Sequence, residues 1–197
     1  MSFRKEKKLR LSKNDLFSFK HDLISRGMRQ LYPSRTVNSC YFDTQDFKMF
    51  FESEEGVLPR RKIRFRWYDS HIDITKETKI SSIEGRYKFT EKMKNISAFD
   101  QIIDLYLYDQ NYGQLSPSLF VQYNREYFSF EKMRLTFDSE IKYRDLSLVN
   151  FSEIEDQEVV MEIKTSINTD DDFIESNLIQ NFSRFSKYSR GRLLFSR

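Results

Sequence analysis

The segment Lys62-Ile63-Arg64-Phe65-Arg66-Trp67-Tyr68 places a cation or a tyrosine at every even-numbered position and a large apolar side chain at every odd-numbered one. Successive side chains of a β-strand point to opposite faces of its sheet, so Lys62, Arg64 and Arg66 share one face about 7 Å apart. An ordinary half-exposed strand would mix its charges or carry Ser and Thr on that face. The positive row suits a chain of phosphates.

Length and composition favour one domain over residues 1–197. The chain has 197 residues, of which 39% are hydrophobic, and this is enough to bury a core. Its 33 basic and 30 acidic residues leave a formal charge of only +3, which argues against nucleic acid as the partner. The single cysteine, Cys40, agrees with a reducing compartment. Because no long apolar segment or signal-peptide core is present, we expect a cytoplasmic protein without a membrane segment.

Short alternating runs and a high aromatic content predict a strand-rich fold with a few covering helices. Strands are expected near residues 3–11, 37–43, 60–69, 72–80, 83–92, 119–130, 133–138, 141–144 and 158–165. Ser12 is a candidate N-cap for a helix to about residue 28, a second helix is predicted over 98–108, and Asp170 opens the last helix. The predicted buried stripes of the three helices are Leu16, Phe19, Leu23 and Ile24; Phe99, Ile102, Ile103 and Tyr106; and Ile174, Leu178, Phe182 and Phe185.

Several predicted strands repeat the division into a charged and an apolar face. The charged faces comprise Arg4, Glu6, Lys8 and Arg10; Glu77 and Lys79; Arg86, Lys88 and Thr90; Arg134, Thr136 and Asp138; and Glu158, Glu162 and Lys164. On an open sheet these faces would meet solvent, whereas in a closed barrel they would line the interior and the apolar faces would pack against outer helices. The predicted helices are sufficient for the second arrangement.

Cations gathered in one cavity repel one another, by about 4 kcal/mol for a pair about 4 Å apart at an effective dielectric constant of about 20. A polyanion is the best occupant, because guanidinium and ammonium groups form charge-assisted hydrogen bonds with phosphate oxygens. The acids Glu6, Glu77 and Glu162 would repel it unless they pair with neighbouring cations or hold a divalent metal. Their carboxylates suit Mg²⁺ or Mn²⁺, which would bridge acid to phosphate.

Seven short motifs follow one another along nearly the whole chain. They are Arg4-Lys5-Glu6-Lys7-Lys8, Ser39-Cys40-Tyr41-Phe42-Asp43-Thr44, Lys62-Ile63-Arg64-Phe65-Arg66, Tyr123-Asn124-Arg125, Thr136-Phe137-Asp138, Glu162-Ile163-Lys164 and Ser186-Lys187-Tyr188. In this order and approximate spacing they resemble the VTC domain, the polyphosphate polymerase branch of the triphosphate tunnel metalloenzymes, or CYTH superfamily. No motif is specific alone, and the combination carries the resemblance.

The resemblance implies a single α+β domain built on a closed antiparallel β-barrel, a triphosphate tunnel with a polar, basic interior and helices packed outside. The phosphate-binding residues that we carry over are Arg4, Lys8, Lys62, Arg64, Arg66, Lys79, Arg125, Lys164 and Lys187. Arg86 and Lys88 compete for one further position. The catalytic residues would be Lys62, Arg64, Arg66, Arg125 and Lys187, and Glu162 would hold the metal, with Glu6 and Glu77 as further candidates.

The implied activity is that of a metal-dependent polyphosphate polymerase, which transfers the terminal phosphoryl group of a nucleoside triphosphate such as ATP to a polyphosphate chain. The end phosphate of such a chain is ionised near neutral pH and needs no general base, whereas attack by water does. Glu6 or Glu77 could serve as that base. An inorganic triphosphatase or another tunnel-family phosphohydrolase or cyclase therefore stays open, as does a non-catalytic polyphosphate-binding module.

The segment around Tyr41 is predicted to have structural roles and no catalytic or binding role. Tyr41 and Phe42 are predicted to be packing residues. Asp43 and Thr44 are predicted to end a strand and to cap a short helix over residues 45–51. The isolated glycines do not form a phosphate-binding P-loop.

Overall fold

The computed structural model describes residues 4–96, 98–147, 152–178 and 182–196, with Arg4, His71 and Ile72 described by their backbone alone. Its strands are β1 (Arg4–Ser12), β2 (Arg29–Asp43), β3 (Arg60–Tyr68), β4 (His71–Ser82), β5 (Gly85–Lys92), β6 (Leu107–Asp109), β7 (Gly113–Phe130), β8 (Met133–Asp145), β9 (Glu153–Glu155) and β10 (Glu158–Ser166). Its helices are α1 (Lys13–Ser25), α2 (Lys48–Glu55), α3 (Phe99–Ile103), α4 (Asp171–Asn177) and α5 (Lys187–Phe195).

The chain divides into two compact units. The first comprises Met1–Arg35, Tyr123–Ile141 and Asp156–Phe185, and the second comprises Thr36–Gln122, Lys142–Glu155 and Ser186–Arg197. The long strands β2, β7 and β8 each contribute residues to both units. Neighbouring strands follow the order β1-β10-β8-β7-β2 in the first unit and β8-β7-β2-β3-β4-β5 in the second, where β6 pairs with β7 and β9 with β8.

The first unit buries the apolar faces of its strands against two helices. Odd-numbered residues of β1, β8 and β10, such as Leu9, Leu135 and Met161, form one core with the buried Leu23 of α1 and Ile174 of α4. The helix α1 begins where sequence analysis placed it, because the Ser12 side chain accepts a hydrogen bond from the Asp15 amide at 3.1 Å. The predicted alternation is confirmed here.

The second unit has its own core on the apolar face of β3. Ile63, Phe65 and Trp67 pack with Met49 of α2 and Ile102 of α3, among other residues of the unit. The opposite face of β3 keeps the cations. Asp43 ends β2, as predicted, and its carboxylate accepts hydrogen bonds from the amides of Met49 and Phe50 in the first turn of α2. The helix expected over residues 45–51 instead begins at Lys48 and has Phe47 at its N-cap position.

The predicted closed barrel is wrong. Among the described strands, β1 has only β10 as a neighbour and β5 has only β4, so each unit ends in a sheet edge. The ladders for which a register is defined are antiparallel. What remains of the predicted fold is an antiparallel sheet with a few helices on its apolar side. A hydrophobic pattern sets which face of a strand is buried, but it does not set whether the two outermost strands meet.

Several element predictions also need correction. The predicted strands over 133–138 and 141–144 form one strand, β8, and the helix predicted over 98–108 is shortened to α3 and followed by β6. Ile24 and Tyr106, expected in buried stripes, are 54% and 65% exposed. The predicted last helix ends at Asn177, so Phe182 and Phe185 lie outside it, although Phe182 still packs on the core of the first unit.

Within the described part of the chain, none of the helices combines the length and the apolar character that a membrane crossing requires.

Candidate anion-binding site

The polar face of β3, β4 and β5 in the second unit is strongly basic. The cross-strand register aligns the even-numbered residues of β3 and β5 with the odd-numbered residues of β4 in four rows, from Arg60 to Arg66. Of the twelve residues in these rows, all of which the structure describes, eight are cations and one, Glu77, is an acid. The cations are Arg60, Lys62, Arg64, Arg66, Lys79, Arg86, Lys88 and Lys92. We call these twelve positions the basic face.

Three lysines stand side by side in one row of the basic face. Lys62 is the register partner of Lys79, and Lys79 is that of Lys88. Like charges directly opposite one another destabilise a sheet. Because a bound anion would reduce this repulsion, the row favours anion binding. At its β3 end, Lys62 Nζ donates to the Ser186 hydroxyl at 2.9 Å, immediately before α5.

The next row contains a buried cluster of charges. Glu77 accepts hydrogen bonds from Arg64 Nε at 2.7 Å and from Lys88 Nζ at 2.6 Å, and Arg66 Nη1 lies 3.7 Å from its carboxylate. Arg64 and Arg66 are only 9% and 8% exposed. Although burial disfavours the charged form, the charges of Arg64 and Arg66 and the bond from Lys88 hold the pKa of Glu77 well below its ordinary value. This carboxylate therefore stays ionised and fixes both guanidinium groups.

A cavity of about 310 Å³ opens beside this cluster. Its lining consists of Arg66, Tyr68, Thr75, Glu77, Lys88, Thr90, Glu91 and Lys92. The cavity thus exposes part of the basic face to an entering ligand.

An aromatic and hydroxyl network supports Arg64 from β2 and α5. Arg64 Nη1 donates to the Tyr41 hydroxyl at 2.7 Å, and the Tyr41 ring stacks on Tyr188 with centroids 5.0 Å apart. The Tyr188 hydroxyl in turn donates to Asp43 Oδ2 at 2.5 Å. Burial acts against ionisation of Tyr41, but Arg64, Arg66 and the nearby Lys187 outweigh it and lower the pKa of the phenol. Lys187, the first residue of α5, therefore acts electrostatically on this network.

The polar face of β1, β10 and β8 in the first unit has a different composition. Lys164 Nζ lies 2.5 Å from Glu162, and Arg125 Nη2 lies 3.6 Å from the same carboxylate. Arg125 also donates two hydrogen bonds to Asp138, at 2.6 and 2.7 Å. Burial opposes the charged form of Glu162, yet Lys164, Arg125 and Lys8 together hold its pKa well below the ordinary value.

The residues around Glu162 fit a divalent cation in two respects. Glu162 offers an ionised hard-oxygen donor, and its register partner Thr136 carries a buried hydroxyl, Oγ1, for which the described part of the chain provides no hydrogen-bond partner. Mg²⁺ is commonly held by one or two carboxylates together with waters and substrate phosphates. Among the described residues, no group of three His, Cys, Asp or Glu side chains is placed to hold a metal ion.

The structure brings the predicted residues together in two groups. In the second unit these are Lys62, Arg64, Arg66, Glu77, Lys79, Arg86 and Lys88 on the basic face, with Lys187 near Tyr41. In the first unit Lys8, Arg125, Glu162 and Lys164 form one cluster, and Glu6 pairs with Lys8 at 3.3 Å. The side chain of Arg4 lies outside the described residues. The roles of these residues as ligands stay predictions.

Arg86 and Lys88 do not compete for a face, since both lie on the polar face of β5. Their register partners are Ser81 and Lys79. Lys88 is the one that reaches the buried cluster through Glu77.

Three contributors were missed by sequence analysis. Tyr41 is predicted to be a packing residue, but its hydroxyl also accepts a hydrogen bond from Arg64. The Ser186 hydroxyl accepts a hydrogen bond from Lys62. Thr136 was noted only as one residue of a charged face. Tyr41 alternates with Ser39 and Asp43 along β2, and this spacing could have placed its side chain on the polar face of the strand. Its contact with Arg64, however, depends on the pairing of β2 with β3.

Comparison with known proteins agrees with this architecture. A protein from Bacillus halodurans, described as a candidate adenylate cyclase, has a TM-score of 0.61 at 16% identity, covering 96% of this chain and 97% of that one. A Hippeastrum protein described as a candidate adenylyl cyclase with a dominant triphosphatase activity has a TM-score of 0.56 at 15% identity, covering 97% and 96%. A protein from Pyrococcus horikoshii has a TM-score of 0.52 at 16% identity, covering 98% and 100%. At these identities the likeness shows a shared fold.

No curated protein matches the sequence at the required significance. The VTC domain family, however, matches residues 3–196, which is nearly the whole chain. The resemblance carried by the seven motifs is thereby confirmed, and the chain belongs to the VTC domain family.

Proposed function

We propose that this chain is a metal-dependent polyphosphate polymerase, which transfers the terminal phosphoryl group of a nucleoside triphosphate to a polyphosphate chain. The basic face, with eight cations and one acid in twelve positions, carries the proposal. Membership of the VTC domain family supports it. So does the fold shared with a protein that is described as having triphosphatase activity.

The basic face supplies what phosphoryl transfer requires from a protein. The transition state of phosphoryl transfer is loose and spreads negative charge over the phosphoryl oxygens. Catalysis therefore depends on positioning the reactants and on preorganised positive charge. Glu77 holds Arg64 and Arg66 in place before any ligand arrives. The lysine row then offers ammonium groups to further phosphates.

In the proposed step, an oxygen of the terminal polyphosphate group attacks the γ-phosphorus of the nucleoside triphosphate. A new P–O bond forms, the bond to the β-phosphate bridging oxygen breaks, and the nucleoside diphosphate leaves with that electron pair.

The first unit, considered by itself, contains the candidate metal ligand. Glu162 would hold Mg²⁺ or Mn²⁺, and such a cation neutralises phosphate charge when bound. Lys8, Arg125 and Lys164 would contact phosphate oxygens.

The state of Glu77 favours phosphate over water as the nucleophile. Hydrolysis requires a group that accepts a proton from water near neutral pH. Glu77, one of the two candidate bases, has both carboxylate oxygens bonded to cations and a pKa held far below its ordinary value. It would therefore be a poor proton acceptor. Phosphate needs no such acceptor.

The test is to incubate the purified protein with ATP and Mn²⁺ and to separate the products on a gel stained for polyphosphate. A metachromatic polymer that grows with time supports the polymerase. Orthophosphate release from triphosphate without chain growth would indicate a triphosphatase, a cyclic nucleotide would indicate a cyclase, and binding without turnover would indicate a binding module. Arg26→Ala serves as an arginine control, because Arg26 directly follows α1, lies on none of the strands, and binds Asp22 and the Asn177 carbonyl.

A further inference from the structure

Thr136 carries a buried hydroxyl that forms no hydrogen bond with any residue the structure describes. Its residue is 3% exposed, and Oγ1 has no partner among the described residues. A buried polar group without a partner costs stability, since it loses its bonds to water and gains none. Such a group calls for an explanation.

The surroundings of Thr136 point to a ligand. Its register partner on β10 is Glu162, whose carboxylate oxygens face Lys164 at 2.5 Å and Arg125 at 3.6 Å. The ion-pair partners of Glu162 are thus Lys164 and Arg125, and Thr136 donates no hydrogen bond to this carboxylate. The hydroxyl therefore lies on the same sheet face as an ionised carboxylate and leaves its own bonding capacity unused.

We propose that the Thr136 hydroxyl completes a divalent-cation site at Glu162, contributing its oxygen to the cation or to one of its waters. The inference rests on the proposed function, because that function supplies the metal. Hydroxyl oxygens are hard donors, which Mg²⁺ and Mn²⁺ accept beside carboxylates. The stability lost in the free protein is recovered when the cation binds.

This proposal predicts opposite signs for the free and the metal-bound protein. Thr136→Val keeps the shape of the side chain and removes the unsatisfied group, so the melting temperature without metal should rise by about 2–4 °C. The same variant should bind Mn²⁺ about 10 to 100 times more weakly by calorimetry, the range seen when a supporting group of a metal site is lost. Thr136→Ser, which keeps the hydroxyl, should restore most of the affinity.

Thr165→Val is the matched control. Thr165 is a similarly buried threonine of β10, at 4% exposure, but its hydroxyl donates to the Ser166 carbonyl at 3.1 Å. Loss of the Thr165 hydroxyl and its hydrogen bond should lower the melting temperature and leave the affinity for Mn²⁺ unchanged. If Thr136 had only a structural role, Thr136→Val would likewise lower the melting temperature and leave the affinity for Mn²⁺ unchanged.

Each remaining outcome decides between the two proposals. Unchanged Mn²⁺ affinity in Thr136→Val, with normal binding in the wild-type protein, would overturn the role of Thr136 and leave the polymerase proposal standing. If Thr136→Val lost affinity only for metal-free tripolyphosphate, the hydroxyl would serve phosphate, and the cation assignment would be wrong. If the wild-type protein failed to bind Mn²⁺, the metal dependence of the proposed function and this inference would fall together.

Discussion

The polar faces of the two units differ in how their charges are balanced. Among the described side chains in the rows of β1, β10 and β8, which exclude that of Arg4, four cations, Lys8, Arg10, Arg134 and Lys164, stand among four acids, Glu6, Asp138, Glu158 and Glu162. On the basic face of the second unit, eight cations stand with one acid. Both faces arise from the same strand alternation, so alternation alone does not identify an anion site.

The difference teaches where an anion would be held most strongly. In the first unit each acid has a cation nearby, as in the pairs Arg10–Glu158 and Glu6–Lys8, so much of the charge is already satisfied. In the second unit one acid, Glu77, pairs with Arg64, Arg66 and Lys88, and the row of Lys62, Lys79 and Lys88 contains no acidic position. We therefore expect phosphate affinity to depend mainly on the second unit and metal affinity on the first.

Removing one guanidinium from each face should give the largest contrast. Arg64→Ala should lower tripolyphosphate affinity about 100-fold or more by calorimetry, because two or more charge-assisted bonds of about 1.5–3 kcal/mol are lost. Glu77 keeps Arg66 and Lys88, so the fold should persist. Arg10→Ala is the control, since Glu158 already neutralises Arg10 at 2.6 Å, and it should change affinity less than about threefold. Equal losses in the two variants would break the comparison.

Neutralising one acid on each face should separate metal from phosphate. Glu162→Gln should weaken Mn²⁺ binding at least about tenfold, or about 1.4 kcal/mol, because a charged oxygen donor is lost. Glu77→Gln should leave Mn²⁺ binding in place and lower stability, since Arg64 and Arg66 lose their shared counter-charge. Calorimetry with Mn²⁺ and thermal melts measure the two effects. Metal affinity that depends on Glu77 instead of Glu162 would reverse the assignment.

The acid limb of the stability curve should depend on both units. The folded-state pKa values of Glu77 and Glu162 lie below the ordinary glutamate value of 4.5, so their contribution is complete above about pH 4.5 and is lost as the pH falls. Urea titrations should show the free energy of unfolding falling in this range by up to about 1.4 kcal/mol per pH unit for each such group. Glu77→Gln and Glu162→Gln should each flatten the slope. A slope unaffected by both would contradict the ionised state of these carboxylates.

Removing one lysine from each face should give the smallest effects on stability, and the two variants should differ. Lys79→Met should relieve repulsion of about 0.2–1 kcal/mol from Lys62 and Lys88, its neighbours in the row, and should therefore destabilise the protein less than Lys164→Met. Lys164→Met should lower the stability of the free protein, because Glu162 loses its partner at 2.5 Å. Thermal melts at low salt measure both changes. Stabilisation by both variants would show that the first face is not balanced as described.

Much of the fold followed from local patterns. The Ser12 cap, the apolar stripe of Leu23 and the alternation in β3 are local features, and the structure confirms each of them. The opposite case is the polar role of Tyr41. Its hydroxyl finds Arg64 through the pairing of two strands that are separated along the chain by α2, and such a contact has no local signature.

The sequence by itself determined which residues share a face, because side-chain direction in a strand alternates with a period of two. It also determined the family, through motifs spread along the chain. Only the tertiary structure decided which charges became neighbours, such as Glu77 beside Arg64 and Thr136 beside Glu162, and that the sheet edges at β1 and β5 stay unpaired among the described strands. Register and closure depend on contacts between distant segments, whose free energies are set by the packing of the whole sheet and not by any one strand.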